Sequence, residues 1–224
     1  MGGPKWSRPE NIELSLRAVE AMAKRYSSHP SLLGFELLNE PSQRYSECNH
    51  TLLHQYYVDS YHIIRQYSNS ALVVFNELYV HLFSKWNDAL LEPHFYNVVL
   101  DWHLYQFMYD SWSVYQHVAL TKDWQTLIDT YKDKHPLLVG EWSMGTGAIH
   151  QAGQPYVDAC VNAFESTAGW YMWNWKIQPG IGFEEWDVQR QYEKGVHAGG
   201  LDPLRMVNIE NQRREKAQQQ KLLF

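Results

Sequence analysis

The feature that most constrains this chain is an alternation. From about residue 9 to about residue 176, segments with apolar residues at helical spacing take turns with short, continuously apolar runs. Helical spacing presents one apolar stripe, whereas a run of four to eight consecutive apolar residues suits a strand covered on both faces. Ser7-Arg8-Pro9-Glu10 reads as a capping box, with Ser7 as the cap and Pro9 in the first turn. Ile12, Leu16, Val19, Ala23 and Tyr26 then fall on one helical face, and Ser27-Ser28-His29-Pro30 ends that helix. Residues 32–38 read as a buried strand, Asn49 as the cap of a helix to about Tyr67, and residues 71–75 as a second strand. A less regular stretch follows, with a short helix near residues 85–91. Beyond it come a strand at 97–105, a helix at 114–132, a strand at 136–141, a helix at 155–167 and a strand at 169–176. In the 114–132 helix, Val118, Leu127, Ile128 and Tyr131 are expected to face inward.

Five strands alternating with helices predict an α/β fold, with parallel strands joined by crossover helices. A closed (β/α)8 barrel has eight strands and about 250 residues. If this 224-residue chain is of that kind, it is a partial TIM barrel lacking about three βα units at its front. The barrel portion occupies residues 1–200, and residues 201–224 form a Gln- and charge-rich helical tail.

Composition narrows the function classes. The formal charge of −6 argues against nucleic-acid binding, which calls for a basic face. No stretch of eighteen apolar residues is present, so no membrane-spanning helix is expected. The opening Met1-Gly2-Gly3-Pro4-Lys5-Trp6 has no apolar segment behind its lysine and reads as no signal peptide. Cys48 and Cys160 read as unpaired thiols, and Asn49-His50-Thr51 is a glycosylation sequon that matters only in a secreted protein. Aromatic residues reach 15%, with ten Trp and fifteen Tyr. Their flat apolar faces and polar edges match the two-sided surface of a sugar ring, but they also serve an aromatic core.

Four strands end in chemistry-bearing residues, and in α/β barrels that end carries the site. In Gly34-Phe35-Glu36-Leu37-Leu38-Asn39-Glu40-Pro41, Glu40 stands last, before a proline that forces an extended or turning exit. Glu36 lies deeper and is expected to be a paired interior carboxylate with a structural role, because an unpaired buried charge is too costly. In Val98-Val99-Leu100-Asp101-Trp102-His103-Leu104-Tyr105, the residues Asp101, His103 and Tyr105 share one face. A metal held by His103 and carboxylates competes with that reading, although no histidine stands at His-x-x-x-His spacing from His103. Leu137-Leu138-Val139-Gly140-Glu141-Trp142 also ends an apolar run on a glutamate, either a surface cap or a site residue. In Gly169-Trp170-Tyr171-Met172-Trp173-Asn174-Trp175-Lys176, Tyr171, Trp173 and Trp175 share a face; Trp170 and Met172 are assigned to the core, and for Trp173 a sugar-stacking platform stands beside core packing. Two glutamates about a hundred residues apart, ending two strands of one parallel sheet, fit glycoside hydrolysis, which uses a protonated and an ionised carboxyl.

These motifs, in this order, resemble glycoside hydrolase family 5, over residues 6–187 or so. The wording of 34–41, 99–105, 139–143 and 169–176 is most similar to fungal and oomycete exo-1,3-β-glucanases. The resemblance implies a retaining (β/α)8 hydrolase of β-glucan oligo- or polysaccharide, working outside the cell or in the cell wall without metal or organic cofactor. It implies Glu40 as acid/base and Glu141 as nucleophile, with Asn39 on the sugar 2-hydroxyl and His103 and Tyr105 orienting the site. Trp173 would be the platform under the reacting sugar, with Trp175 a second candidate. The family's first three strands, with an arginine and a histidine that support the nucleophile, have no counterpart here. The chain is therefore expected to be a fragment, an incomplete gene model or one part of an assembly. A non-catalytic remnant that binds glucan or acts as a scaffold, and another specificity such as endo-cellulase or mannanase, remain open alternatives.

Overall fold

The computed structural model describes residues 5–41, 49–77, 86, 89–147, 153–178, 180 and 184–198. The elements run α1 (Pro9–Tyr26), β1 (Gly34–Glu36), α2 (His50–Arg65), β2 (Leu72–Asn76), β3 (Val98–Leu104), α3 (Val114–Tyr131), β4 (Leu137–Trp142), α4 (Gly153–Phe164), β5 (Gly169–Met172), a 3-10 turn (Glu184–Trp186) and α5 (Val188–Glu193). The strands form one sheet in the order β1-β2-β3-β4-β5. β1 with β2, and β2 with β3, pair in parallel, in the registers Phe35–Val73 and Phe75–Leu100. The expected alternation is thus the observed one. The short helix expected near residues 85–91 is not seen in its described part, where Trp86 is in a turn, Ala89 and Leu90 form a bend and Leu91 is irregular; Cys48 and the tail at 201–224 lie outside the described residues. Among the described residues no helix is long and apolar enough to cross a membrane.

The chain divides into two compact units, and the division runs through β3 after His103 and through β4 after Gly140. The first unit holds α1, β1, α2, β2, most of β3 and the first part of β4. Its core is β2 and β3 under α2: Val73, Phe75, Tyr57, Leu53 and Ile64 are all fully buried. Burying each such side chain contributes about 1.5–3 kcal/mol. All seven residues of β3 are buried, which is what a continuous apolar run requires. Tyr56 and Tyr57 of α2 donate their hydroxyls to the carbonyls of Leu37 and Asn76, fixing the chain where β1 and β2 end.

Helix starts follow capping chemistry with one correction. Asn49 caps α2 as expected, its side chain accepting from the Leu52 amide at 2.9 Å. Ser7 does not cap α1: the cap position is Arg8, without a side-chain bond, and the proline in the first turn sets the start. The α1 stripe is real, but Ala23 is its one buried residue. Val19, Met22 and Tyr26 line a groove with Leu32 and Phe35 beside the edge strand β1.

The second unit holds most of α3, the end of β4, α4, β5 and α5. Trp142, Phe164, Tyr156 and Val157 make its core, with Trp124 stacked on Phe164. The buried line of α3 is His117, Thr121, Trp124 and Ile128. Of the four expected inward residues only Ile128 is fully enclosed. His117 and Thr121 take the places because Gln106 bonds both, to the His117 ring at 2.7 Å and to the Thr121 hydroxyl at 3.0 Å. Burial pushes the His117 pKa down and the Cys160 thiol up to about 12. Cys160 is a buried free thiol, inert by that shift.

Candidate active site

In the first unit, residues of four strands and their exits meet in one hydrogen-bonded group. Asp101 of β3 is fully buried. Its Oδ1 accepts from the Gly140 amide at 2.6 Å, and its Oδ2 accepts from Asn76 Nδ2 at 2.9 Å. The Nε2 of His103 lies 3.0 Å from the same Oδ2, and the Nδ1 of His103 lies 2.8 Å from Glu40 Oε1. Glycine at 140 is a steric requirement, since a Cβ there would fall 2.3 Å from Asp101 Oδ1. Glu40 itself sits at φ 44°, in the left-handed region, just before Pro41. The proline-directed exit expected from sequence is thus a turn, at a backbone conformation that costs a non-glycine residue about 1–2 kcal/mol. Asn39 is exposed at this exit.

Asp101 already accepts from an amide and a carboxamide, so the tautomer of His103 that carries its proton on Nε2 completes the set by donating to it. On its other side the ring is hydrogen-bonded to Glu40, with 2.8 Å between His103 Nδ1 and Glu40 Oε1. Glu40 is half-buried, its side chain 33% exposed, and so keeps access to solvent and ligand.

Glu36 departs from expectation. It is exposed, not an interior carboxylate, because it lies on β1, the edge strand, with no strand beyond it among the described residues. The interior carboxylate is Glu77, at the end of β2 and 5% exposed. Burial, with the Asp101 charge nearby, raises its pKa to about 8, and its Oε2 has no hydrogen-bond partner among the described residues. Asn76-Glu77 repeats the Asn39-Glu40 ending one strand later, and that repetition was the sequence signal for it. Glu36, Asp101 and His103 present ligand atoms within 4.8 Å of one another. Both ring nitrogens of His103 are already engaged by carboxylates, which disfavours it as a metal ligand. The chain's His-x-x-x-His pair is His50 and His54 on α2, whose rings stack beside Trp86.

In the second unit, Tyr105 donates its hydroxyl to Glu141 Oε2 at 2.6 Å, a short charge-assisted bond. Trp142, next along β4, points into the core and packs edge-on against Trp170 at 5.6 Å. Along β5 and its exit the alternation is as expected: Tyr171, Trp173 and Trp175 are exposed, and Trp170 and Met172 are half-buried. Trp173 remains 49% exposed, and its amide donates to the Trp142 carbonyl at 2.7 Å. The Trp173–Asn174 peptide is cis. Segment 173–175 is held by Asn174 N–H to the Trp186 carbonyl and by Val188 N–H to the Asn174 carbonyl. The abundant aromatics thus divide: Trp86, Trp102 and Trp142 are core, while Trp173 and Trp175 face out.

Parallel strands with crossover helices, carrying carboxylates, a histidine and exposed indoles at their C-terminal ends, define a glycoside hydrolase domain of the α/β class. The chain belongs to glycosyl hydrolase family 5: the profile of Cellulase (glycosyl hydrolase family 5) matches residues 8–179. Among its relatives, Glucan 1,3-beta-glucosidase of Schwanniomyces occidentalis is 26% identical, over 83% of this chain and 52% of that protein. Glucan 1,3-beta-glucosidase 2 of Wickerhamomyces anomalus is 25% identical, over 86% of this chain and 55% of that protein. The chain spans about half the length of the curated relatives it matches. In fold it is similar to endoglucanase Cel5A of Thermotoga maritima, with a TM-score of 0.65 at 17% identity over 84% of this chain and 67% of that one. Rutinosidase from Aspergillus niger gives a TM-score of 0.65 at 16% identity, over 84% and 58% of the two chains. The five βα units correspond to part of a (β/α)8 barrel.

Proposed function

We propose that this domain is a retaining β-glycoside hydrolase of β-glucan, an exo-1,3-β-glucosidase with Glu40 as acid/base and Glu141 as nucleophile. One observation carries most of the reading. Glu40 is bonded to His103 and Glu141 to Tyr105, two positions further along the same segment. Each carboxyl thus has its own steering partner, within its own unit. The steering is also chemically asymmetric. His103 is hydrogen-bonded to the acid Glu40, whereas Tyr105 donates to Glu141, as a carboxylate nucleophile needs.

The steps follow from these roles. Glu40 gives its proton to the glycosidic oxygen while Glu141 attacks the anomeric carbon, breaking the bond to the leaving group and forming a glycosyl ester. Glu40, now a carboxylate, takes a proton from water, and that water displaces Glu141. Trp173 stacks under the reacting sugar, and Asn39 hydrogen-bonds its 2-hydroxyl. Retention calls for carboxyls about 5–5.5 Å apart. The chemistry calls for no metal or organic cofactor. The names of the sequence relatives favour the 1,3-linkage over cellulose, and by the family resemblance the proposed place of action is outside the cell or in the cell wall. The charge of −6 leaves nucleic acid an unsuitable partner.

The test is inactivation with a 2-fluoro-glucoside, followed by peptide mass spectrometry and laminarin hydrolysis by Glu40→Gln and Glu141→Gln. The expected label is on Glu141, and each variant loses about 10²–10⁴-fold in rate. A label elsewhere in an active protein overturns the assignment. A second reading is a glucan-binding domain without hydrolysis. Laminarin binding without turnover in the unaltered chain would establish it instead.

A further inference from the structure

The proposed roles leave unexplained what fixes the ring of Tyr105. A phenol turns about its Cα–Cβ bond, and a hydroxyl that must meet one carboxylate oxygen at 2.6 Å benefits from a ring that cannot swing. The structure supplies a wall. The Trp186 indole lies 5.2 Å from the Tyr105 ring at an interplanar angle of 26°, a stacked pair. Phe107 closes the corner, 6.0 Å from Tyr105 and 5.4 Å from Trp186. The backbone at Gly145 also crowds the indole: a Cβ there would fall 2.5 Å from Trp186 Nε1 and 2.6 Å from Cδ1. Only a residue without a side chain leaves the indole its place.

The main chain of Trp186 is tied as firmly. Its carbonyl accepts from the Asn174 amide at 3.2 Å. The next residue, Asp187, is buried, with Oδ1 accepting from Arg190 N and Oδ2 from Ile177 N. These backbone bonds pull the Asp187 pKa below the usual carboxylate range, against the opposing effect of desolvation. A charged, multiply bonded side chain thus anchors the short 3-10 turn that presents the indole.

We propose that Trp186 is a positioning residue of the site, locking the Tyr105 ring so that its hydroxyl stays on Glu141. The inference rests on the reading of Glu141 as nucleophile for its catalytic consequence, but not for its structural content. Trp186 acts through Tyr105, and Gly145 is the space that lets it do so.

The experiment places 3-fluorotyrosine at position 105 and follows its fluorine resonance. In the unaltered protein Glu141→Gln moves the resonance, because the phenol loses its charged acceptor. In Trp186→Ala the resonance moves towards that of a free ring, and the additional shift caused by Glu141→Gln falls to less than half. Trp186→Phe restores most of that shift, and Gly145→Ala imitates Trp186→Ala by displacing the indole. If Trp186→Ala fails to fold, as circular dichroism reports, the Gly145→Ala and Trp186→Phe pair decides. An unchanged Glu141-dependent shift in folded Trp186→Ala or Gly145→Ala overturns the proposal. The same variants are timed with the 2-fluoro-glucoside, and labelling slows about 10–100-fold in Trp186→Ala. Unchanged labelling despite a moved resonance makes Trp186 mere packing and also overturns the proposal. Unaltered protein that takes no label defeats the hydrolase reading, while the fluorine signal still decides whether Trp186 locks Tyr105.

Discussion

At residue scale the backbone of Glu40 is the clearest mark of a position kept for its side chain. An L-residue at φ 44° is disfavoured, and glycine would sit there more easily. Glu40→Ala and Glu40→Gly both delete the carboxyl, so their difference isolates the backbone term. Glycine is expected to be the more stable by about 1 kcal/mol, after its own entropic cost, in urea denaturation. The opposite order would mean that the backbone relaxes and stores nothing. Glu77 permits a second test, by pH. Its pKa rises from 4.5 in the unfolded chain to about 8 on folding, mainly by burial. The folded state then binds the extra proton between those values, so stability falls as pH rises through that window. Glu77→Gln, neutral throughout, is expected to lack that slope. From pH 5 to 7.5 it should gain on wild type by on the order of 3 kcal/mol. Parallel stability curves would show that Glu77 is charged or solvated. Glu40, Glu141, His103 and Tyr105 stood out in the sequence as candidates because each ends or follows an apolar run. The sequence misplaced Glu36, because a carboxylate's burial depends on what lies beside its strand and not on its position along it.

At the scale of elements, α2 acts as a clamp on the strand ends that carry the first half of the site. Tyr57 donates to the Asn76 carbonyl at 2.6 Å, and Asn76 donates onward to Asp101. Tyr57→Phe keeps the ring packing against Phe75 and Trp86 and removes one buried bond. It is expected to cost about 1–2 kcal/mol, the worth of the bond plus part of an unsatisfied carbonyl. A loss below about 0.3 kcal/mol in urea titration would show that the carbonyl finds another donor. Element identity was legible from periodicity, since β3 and β5 kept the expected alternation of faces. Element edges were not. The expected strand at 32–38 shrinks to Gly34–Glu36 because pairing stops where the chain turns towards Glu40. The inward face of α3 was hidden because Gln106, far outside the helix window, makes polar His117 and Thr121 acceptable in the interior.

At the scale of the whole chain, the order of the sheet predicts a gradient of stability that bears on the site. β3 has a strand on each side and seven buried residues, whereas β1 is an edge with three residues and none fully buried. Opening an interior strand exposes its core on both faces, while an edge strand can fray by breaking one ladder. Amides of Val98–Leu104 are therefore expected to exchange hydrogen only through global unfolding, and those of Gly34–Leu37 through a cheaper local opening. Hydrogen exchange read by mass spectrometry, with and without low urea, distinguishes the two. The observed order follows the chain, as consecutive parallel strands tend to lie side by side. Which of them would be an edge was not legible, because that depends on polypeptide beyond the alternation itself. The gradient has a chemical consequence. Asp101 and His103 stand on the interior strand β3, and Glu40 follows β1. The 2.8 Å contact between His103 and Glu40 then ties the carboxyl that follows the edge strand to an interior strand. His103→Ala is expected to speed exchange across residues 34–38 while leaving 98–101 unchanged. Equal acceleration of both segments would mean that the strands open together, with no tether between them to cut.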